Sequence, residues 1–308
     1  MAQRDLYVSY DKVGNVSLEL GDARAARDAY KRGLEVARRL AEADPASAVA
    51  QRDLSISYNK VGNAALRLGD TRAAGDAYRK ALGIRRRLAE ADPDSAQAQT
   101  DLAVSHYKLG QCHQQELQFP EAAACYGRAL EALRRLEQAG KLRGQPRYAG
   151  WQKTFQQSLA FCQAAQQAIA DLDFALKQPP ALVPRLLDVR VRALARAGRH
   201  ADAAATAERL HDREPKGPDN LYNAACAYAL CVTAVAPGKA PEQLSAEEKA
   251  ARERYAARAV AVLREAVGRG FKDAVRVKAA ADLETLCGRE DFKKLLVELE
   301  AKSKAAPK

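Results

Sequence analysis

The sequence predicts an all-α protein built from antiparallel helix pairs stacked in a row. Composition is the first reason: 66 of the 308 residues are alanine, against 18 glycines and 12 prolines, and stretches rich in Ala, Leu, Arg, Glu and Lys favour helix over strand. Internal repetition is the second. Shifting the chain by 48 residues lays Ala2–Val49 on Ala50–Gln97 with 32 of 48 positions identical, the mark of an array rather than of one globular core. Helical spacing of the apolar residues within each copy is the third.

With 47% hydrophobic and 29% charged residues the chain has enough apolar material for a core, which excludes general disorder. The net charge of +11 is diffuse: residues 1–50 hold 8 basic and 8 acidic groups, and residues 201–250 hold 5 and 8. The N-terminus, Met1-Ala2-Gln3-Arg4-Asp5-Leu6, has charges where a signal peptide needs an apolar run. The uncharged run Leu221 to Gly238 is rich in alanine, contains Asn223 and Thr233, and closes on Pro237-Gly238, which reads as a buried helix and not a membrane span. The spacing of the six cysteines fits neither a disulfide framework nor zinc hooks, so a cytoplasmic protein with reduced thiols is expected.

The elements follow in order. In the first two copies Gly21-Asp22 and Gly69-Asp70 break each unit into two helices. Asp44-Pro45 and Asp92-Pro93 end the second helix, because a residue before proline is pushed out of the helical region. A looser third copy follows without a gap, aligning Tyr10, Gly14 and Tyr30 with His106, Gly110 and Tyr126. Gly14, Gly62 and Gly110 sit mid-helix at a cost of roughly 1 kcal/mol each. The expected compensation is close contact with Ala26, Ala74 and Ala122 of the partner helix.

Residues 1–145 are therefore three 48-residue hairpins. Residues 146–216 comprise a long helix over Trp151–Gln178, with Phe155, Leu159, Cys162 and Ile169 on one stripe and an end at Pro179-Pro180, followed by a shorter hairpin. Residues 217–308 form a terminal helical pair and a capping tail. The pair joins the Leu221–Ala229 helix to one around Ala259, Leu263 and Ala266, across a loop at 233–244 that Ser245 and Glu248 end with a capping box.

The run Tyr58, Val61-Gly62, Ala65, Ala74, Tyr78, Ala81 resembles the tetratricopeptide repeat, and so do Leu187, Leu194, Gly198, Ala203, Ala207, Leu210 and Pro215. The 48-residue unit exceeds the usual length of about 34 and looks like the long-helix variant of kinesin light chains. Asn223-Ala224-Ala225-Cys226 with the tail Asp282-Leu283, Leu286 and Phe292–Leu296 resembles a tetratricopeptide end-of-group element. The chain as a whole resembles the C-terminal repeat region of large bacterial serine/threonine protein kinases. No kinase catalytic motif accompanies it: the two Asp-Phe pairs are followed by Ala175 and Lys293 instead of glycine. The resemblance implies an α-solenoid superhelix acting as a non-catalytic protein-interaction scaffold, without cofactor or metal.

Candidate sites have competing readings. His106, Cys112, His113 and Cys125 are metal-ligand types, but they occupy packing positions of the repeat. Cys226 and Cys231, five apart, lie off a common helix face. The clusters Arg38-Arg39, Arg85-Arg86-Arg87 and Arg134-Arg135 offer a stripe for nucleic-acid phosphates; a solvated face paired with Glu42 and Glu90 is the favoured reading, and a nucleic-acid-binding array is the alternative function. The sharper candidate is the polar ladder Lys12 and Asn15, Lys60 and Asn63, Lys108 and Gln111, each pair three residues apart on one helix face. In tetratricopeptide proteins that face lines a concave groove that binds peptide, and the resemblance supplies that placement. The competing role is a bond from Asn15 and Asn63 to the neighbouring hairpin. The first hairpin starts at a repeat junction without a cap, so a longer array or self-association through it is expected.

Overall fold

In the computed structural model, described for residues 2–142, 146–213 and 217–304, the protein is all-α, with no strand among the described residues. Two compact units divide it, Met1–Gln163 and Ala164–Lys308.

The first unit contains three hairpins: α1 (Ala2–Glu19) with α2 (Ala23–Ala43), α3 (Ala48–Arg67) with α4 (Thr71–Ala91), and α5 (Ala96–Gln115) with α6 (Phe119–Gln138). Each second helix also packs on the next first helix, α2 on α3 and α4 on α5. The Gly-Asp breaks work as two devices in sequence. Gly21 and Gly69 take φ of 81° and 79°, the left-handed conformation that ends a helix and costs glycine nothing. Asp22 and Asp70 then accept the Ala25 and Ala73 amides at 2.9 and 3.0 Å, capping the following helix. The third hairpin lacks both residues: Leu117 takes φ 62°, and Gln118 makes no side-chain cap. At the junctions Asp44 and Asp92 end their helices, and Ser47 and Ser95 cap the next through the Ala50 and Ala98 amides.

The mid-helix glycines are explained by a different neighbour from the expected alanines. A Cβ on Gly62 would lie 2.6 Å from Cε1 of Tyr78, and one on Gly110 2.7 Å from Cε1 of Tyr126. Gly14 is pressed likewise against Tyr30. Ala26, Ala74 and Ala122 are fully buried one helical turn earlier, so the tyrosine ring, not the alanine, requires the glycine.

Arg85 departs from the solvated face that its neighbours Arg86 and Arg87 keep. It is 4% exposed, and its guanidinium donates to Ser55 Oγ at 3.0 Å, Asp101 O at 2.9 Å and Ser105 Oγ at 3.1 Å. The Asn59 carboxamide oxygen, oriented to suit both groups, accepts from it at 2.8 and 3.0 Å. The other units carry Ala37 and Leu133 at this position, and Tyr7 and Ala103 where the second has Ser55. An arginine fills the space that the missing aromatic ring leaves. Between units, Arg4 pairs with Asp53 at 3.4 Å and Arg52 with Asp101 at 2.6 Å, an ion pair repeated at one spacing.

Helix α7 (Pro146–Ala170) follows, the division between units falling within it. Phe155 and Tyr148 pack on Ala103, Ala129, Ala132 and Leu133 of the third hairpin, with Phe155 stacked on Tyr107 at 4.5 Å. The expected helix to Gln178 is cut short. Asp171 stops α7 and accepts the amides of Asp173 and Phe174 at 2.9 and 3.1 Å, starting the short α8 (Leu172–Leu176). Phe155 and Cys162 of the expected stripe are buried, whereas Leu159 and Ile169 are half-buried.

The second unit continues with α9 (Val183–Arg196) and α10 (His200–His211), α11 (Pro218–Ala234) and α12 (Ala246–Gly268), then α13 (Ala274–Ala279), a 3-10 segment (Ala281–Leu286) and α14 (Glu290–Lys304). Leu187, Leu194, Ala203, Ala207 and Leu210 are buried between the helices; Pro215 lies outside the described residues. Arg190 caps the end of α7 by donating to Ala168 O at 2.8 Å. Ser245 and Glu248 form the reciprocal cap of α12, at 3.1 and 2.8 Å. Ala259, Leu263 and Ala266 are buried against α11. Leu283, Leu286, Phe292 and Leu295 of the tail are buried, and Arg192 holds Asp282 through two bonds of 3.0 and 2.6 Å.

Candidate functional site: the polar ladder of the first helices

The ladder residues are brought onto α1, α3 and α5, with bonds that their spacing does not reveal. Asn15 Oδ1 accepts the Tyr30 hydroxyl at 2.8 Å, and Asn63 Oδ1 accepts that of Tyr78 at 2.8 Å. The tyrosines lie in the second helix of the same hairpin, while the bond across to the neighbouring hairpin is made at Asn15, whose Oδ1 also accepts from Lys60. In the third hairpin the Tyr126 hydroxyl donates to Gln114 at 3.0 Å, while Gln111 donates to Tyr107 at 3.2 Å. In the first two hairpins the tyrosine that presses on the mid-helix glycine therefore fixes the amide beside it as well. Burial raises the Tyr30, Tyr78 and Tyr126 pKa values above the usual phenol range, so each remains a neutral donor.

A carboxamide whose oxygen is held by a hydroxyl keeps its nitrogen as a group that only donates. Asn15 is exposed and Asn63 half-buried. The lysines differ from one another. Lys12 is exposed; Lys60 pairs with Asp11 of the preceding unit, reaches Asn15 Oδ1 at 3.2 Å and lies 5.6 Å over the Tyr30 ring. Lys108 is half-buried, and burial holds its ammonium below the usual lysine range. The tyrosine partners were legible as a recurring Asn–Tyr separation of fifteen residues; Asp11 carried no such signal, because Asn59 and Tyr107 replace it in the later units.

The other candidates resolve into packing. Cys112 and Cys125 lie in the apolar cluster with Tyr78, Leu82 and Leu109. Burial pushes the Cys112 thiol up to about 11 and the Cys125 thiol upward, away from the thiolate that a metal or redox site needs. His106 is buried with an unbonded Nδ1, and His113 Nδ1 lies 2.6 Å from Gln118. Cys226 and Cys231 are buried free thiols, pushed up to about 11 and about 12 by burial. Glu208, His211 and Asp212 approach within metal-binding reach of one another. Protein groups already engage them: Asp212 and Glu265 on the two His211 nitrogens at 2.9 and 3.1 Å, and Arg258 and Tyr228 on Glu208. Of the arginine stripe, Arg38, Arg39, Arg86, Arg87, Arg134 and Arg135 are exposed, and the last two pair with Glu131.

Fold and ladder together define an all-α helical-repeat protein with a bonded polar face on its first helices. Residues 56–87, the core of the second hairpin, match the tetratricopeptide repeat family. A search of curated proteins finds no match to the chain. Among solved structures it is similar to a chain in the "Structure of Naa15/Naa10 bound to HypK-THB", at 17% identity and a TM-score of 0.17. The match covers 97% of this chain and 51% of that one, so this chain spans about half its length. No described helix is long and apolar enough to cross a membrane.

Proposed function

We propose that the chain is a non-catalytic protein-interaction scaffold that holds an extended peptide, acidic or ending in a free carboxylate, along α1, α3 and α5. The tetratricopeptide match supports the scaffold, since such repeats stack into extended binding surfaces. One observation supports the peptide reading: the Tyr30–Asn15 and Tyr78–Asn63 bonds hold two carboxamide oxygens, so that each nitrogen is a pre-set donor for a ligand carbonyl, which would lower the entropy lost on binding. Lys12, exposed, and Lys108, whose burial-lowered ammonium a carboxylate would restore, supply the charge-assisted bonds; Lys60 and Gln111 line the same path. The kinase resemblance extends the reading to a partner-recruiting region of a kinase-linked signalling protein acting in the cytoplasm. A nucleic-acid array has less to work with, because Arg85 is buried and Arg134 and Arg135 are paired with Glu131.

The test starts with capture of partners from the source cell by the full chain, identified by mass spectrometry. Each bond of this kind contributes about 0.5–3 kcal/mol net, so Asn15→Ala with Asn63→Ala should weaken a peptide partner roughly tenfold or more. Arg86→Ala with Arg87→Ala should leave binding within about twofold. Loss of binding in the arginine pair with retention in the asparagine pair would overturn the reading, as would a log affinity falling with log salt at the slope of several phosphate contacts.

A further inference from the structure

Helix α1 displays an apolar stripe that its counterparts keep covered. Leu6, Val13 and Val16 are 46%, 55% and 53% exposed. Each of these repeat positions is closed in at least one later unit: Leu54 is 9% exposed, Ala64 0%, Leu109 8% and Cys112 3%. What closes them is the second helix of the preceding unit. Val61 and Ala64 pack on Ala26 and Tyr30, Leu54 clusters with Leu34, Ala37 and Ala41, and Leu109 and Cys112 cluster with Ala74, Tyr78 and Leu82. The covering surface is thus the same stripe twice, an alanine, a tyrosine four residues on and a leucine four beyond that.

Charge points to the same occupant. Asp53 and Asp101, 15% and 13% exposed, each receive an arginine from the unit before. Their counterpart Asp5 is exposed at the start of α1. With 32 of 48 positions shared between the first two units, the face of α1 is built for the surface that already covers α3.

We infer that α1 is a stacking surface for one further hairpin of this same 48-residue type, joined ahead of α1 as each unit is joined to the next. Its second helix lies across Leu6, Val13 and Val16 with an Ala, Tyr, Leu stripe, and its first helix supplies an arginine to Asp5. This surface is independent of the peptide reading, which uses the amides of Asn15 and Asn63.

The test compares the 308-residue chain with one extended at its N-terminus by a second copy of residues 2–49, which recreates the natural junction. Amide hydrogen exchange across α1 should slow about tenfold or more in the extended chain. Val16→Asp in α1 should abolish that protection while moving the melting temperature of the 308-residue chain by less than about 2 °C, since Val16 is exposed there. Equal exchange of α1 in the two chains would overturn the inference. So would a 308-residue chain that dimerises at micromolar concentration and becomes monomeric with Val16→Asp, because a second copy would then be the occupant.

Discussion

Three tyrosines, Tyr30, Tyr78 and Tyr126, each press one face on a glycine and donate the hydroxyl to an amide. Replacement of the glycine is the most direct probe of that contact. Gly62→Leu must displace the Tyr78 ring and should cost about 1–3 kcal/mol or more by the usual overpacking scale, whereas exposed Arg86→Ala should stay within about 0.5 kcal/mol. Paired chemical denaturation curves measure both, and equal midpoints would contradict the packing described. His106 offers a pH-dependent counterpart. It stands where the other units carry Tyr10 and Tyr58; burial, reinforced by Arg128 and Arg86, lowers its pKa from 6.5 to about 4. The unfolded chain therefore binds this proton more readily than the folded one. Stability is complete above about pH 6.5 and drains as pH falls toward 4, by on the order of 3 kcal/mol for this group. His106→Tyr, which restores the aromatic residue of the repeat, should flatten that part of the profile, as urea midpoints at pH 4.5 and pH 7 would show. Only half of this scale was readable from the sequence. The periodic glycines announced a close approach, but alanine and tyrosine recur equally and only three-dimensional contact distinguishes them.

Whole helices were more legible than their partners, because their ends are written in local chemistry. Gly-Asp, Asp-Pro and Ser-x-x-Glu each act within a few residues, so the breaks at Gly21, Gly69, Asp44, Asp92 and Ser245 fall where the sequence places them. Asp171 was missed: it lies in a run with no glycine or proline, and its capping bonds to Asp173 and Phe174 break an otherwise continuous helical pattern. Arg85 was misread for the opposite reason. Neighbouring arginines suggested a solvated face, yet the substitution that matters, Ser55 for Tyr7, lies thirty residues away on another helix. As the side chain that joins α4 to both α3 and α5, Arg85 should be indispensable to the second hairpin. Arg85→Ala leaves Ser55, Asn59, Ser105 and the Asp101 carbonyl without their donor, so it should cost about 3 kcal/mol or more, against less than about 1 for Arg87→Ala. Thermal melts of the two variants check the ratio.

For the molecule as a whole, contacts between sequential hairpins give stability a nearest-neighbour character. A lesion in one hairpin should therefore loosen its immediate neighbours first. Gly62→Leu is expected to speed amide exchange across α1–α6 by about tenfold or more while changing α11 and α12 by less than about twofold, which hydrogen exchange with mass spectrometry resolves. Uniform acceleration along the chain would show a single cooperative block instead. The same repetition poses a hazard during folding, since two adjacent segments sharing 32 of 48 residues can exchange partners within or between chains. Arg85 discriminates between the correct and the swapped product. If α2 took the place of α4 as the hairpin partner of α3, Ala37 would stand where Asn59, Ser55 and Ser105 await a guanidinium; if α4 took the place of α2 beside α1, that guanidinium would be driven against the ring of Tyr7. Each swap buries unmet polar groups at about 1–3 kcal/mol apiece. One arginine in otherwise interchangeable helices thus serves as an address label, ensuring that near-duplicate segments assemble in the order in which they are synthesised.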